Sequence, residues 1–577
     1  MRSPLRSRRW FAGDDEVALA NRAAVRSLGI ELKTDEDRPV IGIANSASEL
    51  NPCNHGLTAL AEAVKRGVWE AGGIPLEFPT ISLGEELMKP SAMLYRNLMA
   101  MDVEECLRAH PLDGVVLLGN CDKTIPAQLM AAASADLPAI QVSGGTRRPG
   151  VFRGRRLAGP TDLWRFWEQR RAGELDDETW AAAEACLGCS LGACNSMGTA
   201  ATMSLLTEAL GMMLPGTGAI TAEDPRRVEA AEASGRRIVE LVAADVRPSS
   251  ILTPAAFDNA IAVLAAIGGS TNAVIHLCAI AGRRGIELPL ARFAEIGRRV
   301  PMIVDVEPSG HALIDAFDAA GALPAVQAEI AEHLDLGVRT VGTAPLADVL
   351  AGAAGRTADG VIRPRADALF ASGGIAVARG SLAPDGAIMK VSAASPALLR
   401  LRGPAVVFRG YEDLQARIDD PDLDVTPESV LVIAGCGPIG VPGMPEWGMA
   451  PIPRKLARQG VTDMARVTDG RMSGTSFGTV LLHAAPEAAA GGPIGLVRDG
   501  DVIDWDIPAG RADVLVSDGE LAARRAEAKP YRSPHLRGWP RLYQEHVMQA
   551  PDGCDLDFLR APTPAHLRFV EPVVGRS

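Results

Sequence analysis

Three cysteines of this chain share one local context. Cys53 lies in NPCNHG, Cys121 in GNCDKT and Cys194 in GACNSMGTA, and each precedes a predicted helix. A helix N-terminus lowers the pKa of a thiol and favours a negatively charged group. A single free cysteine is usually a small buried apolar side chain, but three in matching turns favour ligation of one metal cluster. We therefore expect these thiols to meet at the carboxyl ends of parallel strands.

A second set of cysteines has a compact spacing that also suits a metal. Cys186, Cys189 and Cys194 form C-x2-C-x4-C, a pattern found at zinc and redox sites. No fourth ligand lies nearby, so a closed structural zinc site would be incomplete. This set is the alternative to the first one. We interpret the remaining cysteines as structural thiols: Cys106, Cys278, Cys436 and Cys554.

Acidic residues accompany the first cysteine set. Asp122 directly follows Cys121, Glu85 lies in SLGEELMKP and Glu446 in GMPEWG. Carboxylates of this kind suit a hard divalent cation such as Mg2+. Solvated surface carboxylates are the alternative interpretation, which the spacing leaves open. Lys123 would repel a cation at this place unless it were neutral or carbamylated.

Two glycine-rich segments also attract a functional interpretation. Ser473 lies in TDGRMSGTSFG, either as a turn serine or as a hydroxyl that a neighbouring cation makes a base. Gly435, Gly437 and Gly440 form a G-x-G-x-x-G after a predicted strand. Dinucleotide sites with this motif need a helix to begin there, and the prolines that follow prevent one. We interpret this second segment as a rigid loop.

The elements that must position these residues alternate along the first two-thirds of the chain. Residues 39–45, 114–119 and 137–143 are predicted strands, and amphipathic helices separate them. This alternation predicts an α/β fold with parallel sheets. Beyond Ser372, glycine-punctuated β-like runs dominate, residues 494–497 among them. We predict a large N-terminal α/β domain over residues 1–380 and a smaller, β-rich, barrel-like C-terminal domain over 381–577.

Composition narrows the function classes. The 577 residues carry a net charge of −13, so we expect no nucleic-acid partner. Residues 260–282 lack charged side chains, but Gly268–Asn272 interrupt them, which predicts two buried half-helices rather than a membrane span. The charged start of the chain does not resemble a signal peptide. We expect a cytoplasmic protein without a membrane partner, whose cysteines are thiols or metal ligands.

Several motifs together resemble a known family. They are NPCNHG, GNCDKT, GACNSMGTA, GGSTNAVIHL, CGPIGVPGMPE and TDGRMSGTSFG. From about Arg38 to Phe558 the chain resembles the dihydroxy-acid and sugar-acid dehydratases, the IlvD/Edd family. The segments MLYRNL, VFRGRR and DLWRFWE resemble the pentonate branch, the arabinonate and xylonate dehydratases. SLGEELMKP differs from the pentonate form around its acidic residue, which leaves the substrate open.

This resemblance implies a role for each candidate residue. It implies an iron–sulfur cluster held by Cys53, Cys121 and Cys194. It implies Mg2+ held by Glu85, Asp122, Glu446 and a carbamylated Lys123. It implies that Ser473, with Thr475 close by, carries out catalysis. Three cysteines leave one iron open in either a [2Fe–2S] or a [4Fe–4S] cluster, and we favour [2Fe–2S]. The family also implies a homodimer or a homotetramer. Cys186 and Cys189 lie outside the family pattern.

The activity implied is dehydration of a sugar acid, a pentonate or a hexonate, to its 2-keto-3-deoxy acid. Such a hydro-lyase needs no nicotinamide, because the reaction has no net redox change. The first alternative is a dihydroxy-acid dehydratase of branched-chain amino-acid biosynthesis, with the same chemistry on an apolar substrate. The second, from another class, is an iron–sulfur electron-transfer or redox protein, which would leave the acidic set without a role.

Overall fold

The computed structural model describes residues 5–34, 37–353, 360–561 and 570–575. Over these residues the helices are α1 Arg8–Phe11, α2 Glu16–Arg26, α3 Leu57–Glu70, α4 Ala92–Ala109, α5 Thr124–Ala135, α6 Pro160–Ala172, α7 Asp177–Leu187, α8 Thr199–Ala209, α9 Pro225–Ala243, α10 Pro248–Ile251, α11 Pro254–Ala266, α12 Asn272–Arg283, α13 Leu290–Arg299, α14 Ile314–Ala319, α15 Ala322–Glu329, α16 Leu346–Ala353, α17 Gly410–Arg417, α18 Arg454–Ala457, α19 Asp518–Glu527 and α20 Gly538–His546. The strands are β1 Val40–Asn45, β2 Ile74–Pro79, β3 Gly114–Leu118, β4 Ala139–Val142, β5 Val151–Phe152, β6 Arg155–Arg156, β7 Ala376–Ala378, β8 Gly386–Met389, β9 Arg400–Arg409, β10 Val430–Ala434, β11 Glu446–Trp447, β12 Arg466–Thr468, β13 Arg471–Met472, β14 Val480–Ala485, β15 Val502–Asp506 and β16 Arg511–Val514.

A four-stranded parallel sheet organises the first half of the chain. Its strand order is β2-β1-β3-β4, and every residue of β1, β3 and β4 is buried. Parallel strands covered on both faces form such apolar runs, which is why the three strands predicted over residues 39–143 are confirmed. Helices α3 and α9 cross closely: a Cβ at Gly67 would lie 2.0 Å from the Glu232 carbonyl oxygen.

Buried helices pack beside this sheet. Residues 260–282 form the end of α11, a turn and most of α12, so the prediction of two buried half-helices is confirmed. Apolar residues of α5, α8, α11 and α12 belong to one continuous core with the sheet. Within the described residues, no helix is long and apolar enough to cross a membrane.

An eight-stranded mixed sheet organises the second half, in the order β16-β15-β9-β10-β12-β14-β8-β7. The four strands from β9 to β14 in that order are parallel. Arg379, just after β7, pairs with Arg511 of β16 and so brings the two edges of the sheet together. The result is the barrel-like, nearly closed sheet that the sequence predicts, and such closure leaves little exposed strand edge.

The predicted strand over residues 494–497 is wrong. Residues 494–497 belong to a 3-10 turn, Pro493–Leu496, rather than to the sheet. Pro493 lacks a backbone N–H and Gly495 weakens an extended strand, so this short apolar run closes a turn instead. The mixed α/β class is confirmed, whereas the domain boundary between residues 380 and 381 stays a prediction.

Candidate active site

The first cysteine set lines one cavity of about 460 Å³. We name Cys53, Cys121 and Cys194 the thiol side of this cavity. The three residues precede α3, α5 and α8 by a few residues each, as predicted. Cys53 and Cys121 follow the neighbouring parallel strands β1 and β3, whose carboxyl ends lie together.

The residues beside Cys53 and Cys121 hold the two loops together. The Cys121 backbone N–H donates to Asn54 Oδ1 at 3.0 Å. In return, Asn120 Nδ2 donates to the Cys53 carbonyl oxygen at 2.8 Å. Each loop therefore fixes the other's cysteine. The sequence analysis missed both asparagines, although each lies next to a cysteine in the motifs NPCNHG and GNCDKT.

The surroundings of Cys121 and Cys194 favour protonated thiols when no cation is present. A hydrogen bond with Cys53, together with burial, raises the pKa of Cys121 well above its ordinary value. Burial likewise raises the pKa of the Cys194 thiol. A positively charged metal centre reverses this preference, because it stabilises thiolates directly. The donor set therefore fits a soft, cationic centre.

Arg147 is a partly buried cation whose charge acts on these thiols. Its guanidinium opposes the effect of burial on Cys194 and so moderates the raised pKa of that thiol. Burial also lowers the pKa of Arg147 itself, but Cys194, Cys53 and Glu86 together outweigh that effect and raise it. Its Nη2 donates to Glu86 Oε1 at 2.9 Å, and its buried Nε has no hydrogen-bond partner among the described residues. The sequence analysis did not identify Arg147.

Carboxylates line the same cavity next to the thiols, and Cys121 Sγ lies 3.5 Å from Asp122 Oδ1. Ligand oxygens of Glu85, Asp122 and Glu446 lie within 4.8 Å of one another, the only such group of three metal-ligating side chains among the described residues. Lys123 is fully buried, and its Nζ lies 2.5 Å from Asp122 Oδ2, 2.8 Å from Glu446 Oε1 and 3.2 Å from Glu85 Oε2. We name these four residues the carboxylate side.

The pKa values of two carboxyl groups on the carboxylate side, those of Asp122 and Glu446, differ widely. Burial raises the pKa of Asp122 to about 6, although Lys123 opposes the rise. Burial acts the same way on Glu446, but Lys123 and Arg471 outweigh it and lower the pKa of Glu446 to about 2. Glu85 Oε2 is buried and accepts no hydrogen bond in the described part of the chain, and the Lys123 ammonium lies 3.2 Å from it. Carboxylate oxygens this close together fit a hard divalent cation.

Arg471 connects residues of the carboxylate side that lie far apart in the sequence. Its Nη1 contacts Glu446 Oε1 at 2.5 Å, and its Nη2 donates to Ser91 Oγ at 3.0 Å. Ser91 Oγ in turn donates to Glu85 Oε1 at 2.9 Å, so one guanidinium positions two of the three carboxylates. Asn272 Nδ2 also donates to Glu446 Oε1, at 2.6 Å. The sequence analysis missed Arg471, although it lies in the motif TDGRMSGTSFG two residues before Ser473.

Two short strands place Ser473 beside the carboxylates. β11 pairs in parallel with β13, so that Glu446 lies opposite Arg471 and Trp447 opposite Met472. Ser473 directly follows β13, and its Oγ lies 2.8 Å from Thr475 Oγ1. Both hydroxyl residues line the cavity.

Two aromatic side chains, Trp164 and Tyr411, also line the cavity. Trp164 Nε1 donates to Thr475 Oγ1 at 3.2 Å. A Cβ at Gly448 would lie 2.2 Å from Trp164 Cη2, so only glycine lets the indole lie against this backbone. Tyr411 stacks on Trp447 with ring centroids 4.1 Å apart and planes 2° from parallel. The cavity thus combines apolar walls with a few polar groups, the usual composition of a small-molecule site.

The alternative cysteine set is not assembled as a zinc site. Among the described residues, neither cysteine set brings all three of its sulfurs within 4.8 Å of one another, the spacing that a single ion would need. A cluster of several irons spreads its ligands more widely, so this spacing weighs against zinc alone. Cys186 and Cys189 also lie outside the cavity that the first set lines, and Cys189 Sγ lies 3.3 Å from the Arg148 carbonyl oxygen.

The G-x-G-x-x-G loop does not offer a phosphate site. The backbone N–H groups of Gly435 and Cys436 donate to Asp469, at 3.0 and 2.8 Å. The loop amides that a phosphate would need are therefore occupied by a buried carboxylate, in agreement with the interpretation as a rigid loop.

Comparison with known proteins decides the family. The model of the dihydroxy-acid/6-phosphogluconate dehydratase N-terminal region matches residues 38–349, and the model of the C-terminal region matches residues 360–554. The chain belongs to this dehydratase family. It is therefore a hydro-lyase, as predicted, and the resemblance stated from the motifs is confirmed.

Individual relatives lie in both branches of the family. The L-arabinonate dehydratase of Rhizobium leguminosarum bv. trifolii is 48% identical over 96% of this chain and 96% of its own. The 6-deoxy-6-sulfo-D-gluconate dehydratase of Pseudomonas putida is 46% identical over the same shares. The dihydroxy-acid dehydratase of Halothermothrix orenii is 40% identical over 93% of this chain and 98% of its own. This dehydratase is thus more similar to those two sugar-acid relatives than to that dihydroxy-acid one.

Proposed function

We propose that this dehydratase converts a sugar acid, a pentonate or a hexonate, into its 2-keto-3-deoxy acid. The observation that carries the proposal is a single cavity that three thiols and three clustered carboxylates line together. The higher identity to relatives named for L-arabinonate and 6-deoxy-6-sulfo-D-gluconate supports a polyhydroxylated substrate.

The two sides of the cavity suit two different cofactors. Cys53, Cys121 and Cys194 would hold an iron–sulfur cluster, [2Fe–2S] rather than [4Fe–4S], because thiolates are the usual protein ligands of such clusters. Glu85, Asp122 and Glu446 would hold Mg2+, together with a carbamylated Lys123. When bound, the cluster supplies a Lewis acid for the C3 hydroxyl and Mg2+ supplies positive charge for the carboxylate end.

The chain's own residues handle the proton at C2. Ionised Ser473 Oγ is the proposed base; it takes the C2 proton as the C3 hydroxyl leaves as hydroxide, and it then passes this proton to the hydroxide to give water. Thr475 Oγ1, 2.8 Å away, stabilises the ionised serine by donating a hydrogen bond to it. The enol that results becomes the ketone by losing the proton of its C2 hydroxyl and gaining a proton at C3. Overall, one water is lost and no electrons are exchanged.

Other residues orient the substrate and exclude water. Trp164 donates to Thr475 Oγ1 and thereby directs the threonine hydroxyl proton towards Ser473. Trp164 and Tyr411 wall the cavity with apolar surface, which strengthens every charge interaction inside it. Beyond the site, the homodimer or homotetramer and the cytoplasmic location remain predictions.

A substrate panel tests this proposal. Protein purified without oxygen is assayed with Mg2+ on pentonates, hexonates and 2,3-dihydroxyisovalerate, and 2-keto acid formation is measured. We expect turnover of at least one aldonate at a kcat/KM at least about tenfold above that for dihydroxyisovalerate. Activity on dihydroxyisovalerate alone would contradict the proposal and favour the branched-chain enzyme. An iron-containing protein that is reversibly reduced but dehydrates nothing would favour the redox alternative.

A further inference from the structure

A second cavity lies in the C-terminal half of the chain. Its volume is about 590 Å³, larger than that of the active-site cavity. The polar side chains that line it are those of Arg409, Arg525, Lys529 and Tyr531. Backbone of the glycine- and alanine-rich segment 488–495 forms much of the remaining wall. Among the described residues, no carboxylate lines this cavity, in a chain whose net charge is −13.

The cations around this cavity lack acidic partners. Within the described part of the chain, no carboxylate oxygen lies within 4.0 Å of the side-chain nitrogens of Arg409, Arg525 or Lys529. The neighbouring Arg524 is different, because it lies 2.5 Å from Asp501 and 2.8 Å from Glu520. Asp499, Asp413 and Asp469 act on the charge of Arg409 from further away, whereas Arg525 and Lys529 form no ion pair with a described carboxylate.

The position and rigidity of the cavity suit a ligand. It lies at the carboxyl ends of the paired parallel strands β9 and β10, where open sheets bind ligands. Arg409 is held in place, because Nη1 donates to the Gly495 carbonyl at 2.9 Å and Nη2 to the Val497 carbonyl at 2.5 Å. The Asp469 carboxylate accepts hydrogen bonds from the backbone N–H groups of Gly435 and Ala488, which both line the cavity, and so holds these two segments in place.

We propose that this second cavity binds a small phosphate-bearing metabolite. A phosphate dianion offers several acceptor oxygens to two guanidinium groups and one ammonium, and arginine matches this geometry in particular. The volume also accommodates a sugar attached to the phosphate. Nothing in this binding step depends on the dehydratase reaction.

The second cavity shares a turn with the active site. Gly410 lines the second cavity, whereas Tyr411, the next residue, lines the active-site cavity and stacks on Trp447. A phosphate held by Arg409 therefore acts two residues away from Tyr411 in the active-site wall. We expect its binding to change the KM for the sugar acid, an effect that rests on the proposed function.

Calorimetry on the full-length protein tests the binding step. Inorganic phosphate and ribose 5-phosphate are titrated separately, with sodium chloride of equal ionic strength as the reference. The double variant Arg525→Glu and Lys529→Glu reverses two exposed charges of the cavity. Its matched control, Arg458→Glu with Arg537→Glu, makes the same charge change on exposed residues outside the cavity.

The expected result is saturable binding that the cavity variant weakens at least about tenfold and the control leaves within about twofold. Tighter binding of ribose 5-phosphate than of phosphate would identify an organic phosphate as the ligand, and equal binding would identify the free anion. Heats no larger than those of chloride, or equal weakening in both double variants, would overturn the proposal. An unchanged KM with binding intact would overturn the coupling alone, and calorimetry decides the binding step even if no sugar acid is turned over.

Discussion

The thiol side and the carboxylate side of the active-site cavity differ in how far apart in the chain their supports lie. Residues directly beside Cys53 and Cys121 hold the thiol side, through Asn54 and Asn120. On the carboxylate side, by contrast, Glu85 and Glu446 are joined through Ser91 and Arg471. The first side is local, whereas the second exists only when both halves of the chain are folded together.

The two sides also differ in charge balance. Burial raises the pKa values of Cys121 and Cys194, so these two thiols become anionic only with a bound cation. The carboxylate side contains the buried cation Lys123 and contacts a second one, Arg471, against three carboxylates. Carbamylation of Lys123 would turn one of these cations into an anion. We therefore expect metal affinity on this side to depend on the charge of Lys123 and on Arg471.

The largest effect is expected from a substitution on the thiol side. Cys121→Ser should remove both the iron and the visible absorbance and abolish turnover, because a hydroxyl is a poor ligand for iron compared with a thiolate. Iron analysis and the visible spectrum of protein purified without oxygen measure this. Cys186→Ser is the control and should keep both signals. Iron retained by Cys121→Ser but lost by Cys186→Ser would favour the Cys186, Cys189 and Cys194 set.

The next largest effect is expected from a substitution that lowers the catalytic rate but leaves metal binding unchanged. Ser473→Ala should lower kcat by about 10²–10⁴-fold, the usual contribution of a general base, with iron content and absorbance unchanged. Steady-state rates of 2-keto acid formation measure it. Thr475→Ser, which keeps a hydroxyl at that position, should stay within about tenfold of the parent. Near-normal turnover of Ser473→Ala would show that this serine is not the base.

A smaller effect addresses the carboxylate side alone. Arg471→Lys should raise the Mg2+ concentration for half-maximal activity by about 10–100-fold, since one ammonium cannot reach Glu446, Ser91 and the Met444 carbonyl together. Chelation followed by Mg2+ titration, and direct Mn2+ binding, measure this. Arg466→Lys is the control, because Arg466 is equally buried but contacts Asp463. An equal shift in both variants would reduce Arg471 to a general stabilising role.

The smallest effect is expected from a substitution of Trp164 in the cavity wall. Trp164→Phe keeps an aromatic ring but loses the hydrogen bond to Thr475, so kcat/KM should fall by about 2–10-fold. Trp167→Phe on the same helix is the control, because Trp167 is exposed and does not line the cavity. A change in the control as large as that in Trp164→Phe would contradict a direct role for the indole N–H.

Local patterns predicted much of this fold. The runs PVIGIAN and GVVLLG are apolar because parallel strands are covered on both faces, and β1 and β3 lie within one residue of their predicted bounds. Closure of the C-terminal sheet depends on Arg379 pairing with Arg511, and such a long-range pairing leaves no periodic trace in the sequence. The short run 494–497 was ambiguous because its few residues carry no periodicity.

In the candidate site, too, some features could be predicted from the sequence and others could not. Motif context identified the three cysteines and the carboxylates that the structure brings to one cavity. It could not identify Asn272 as the partner of Glu446, because sequence spacing carries no information about distance between remote segments. Nor could it find Arg471 as a link between two carboxylates, since that role needs Ser91 as an intermediary.

The central claim is that one cavity joins an iron-holding thiol side to a carboxylate side for sugar-acid dehydration. The most direct test is to reconstitute the iron-free protein stepwise with iron and sulfide, in the presence of Mg2+. Bound iron and the rate of aldonate dehydration are measured on each sample. The account predicts a rate that rises in proportion to bound iron and is absent without it. Full turnover by the iron-free protein would contradict the account.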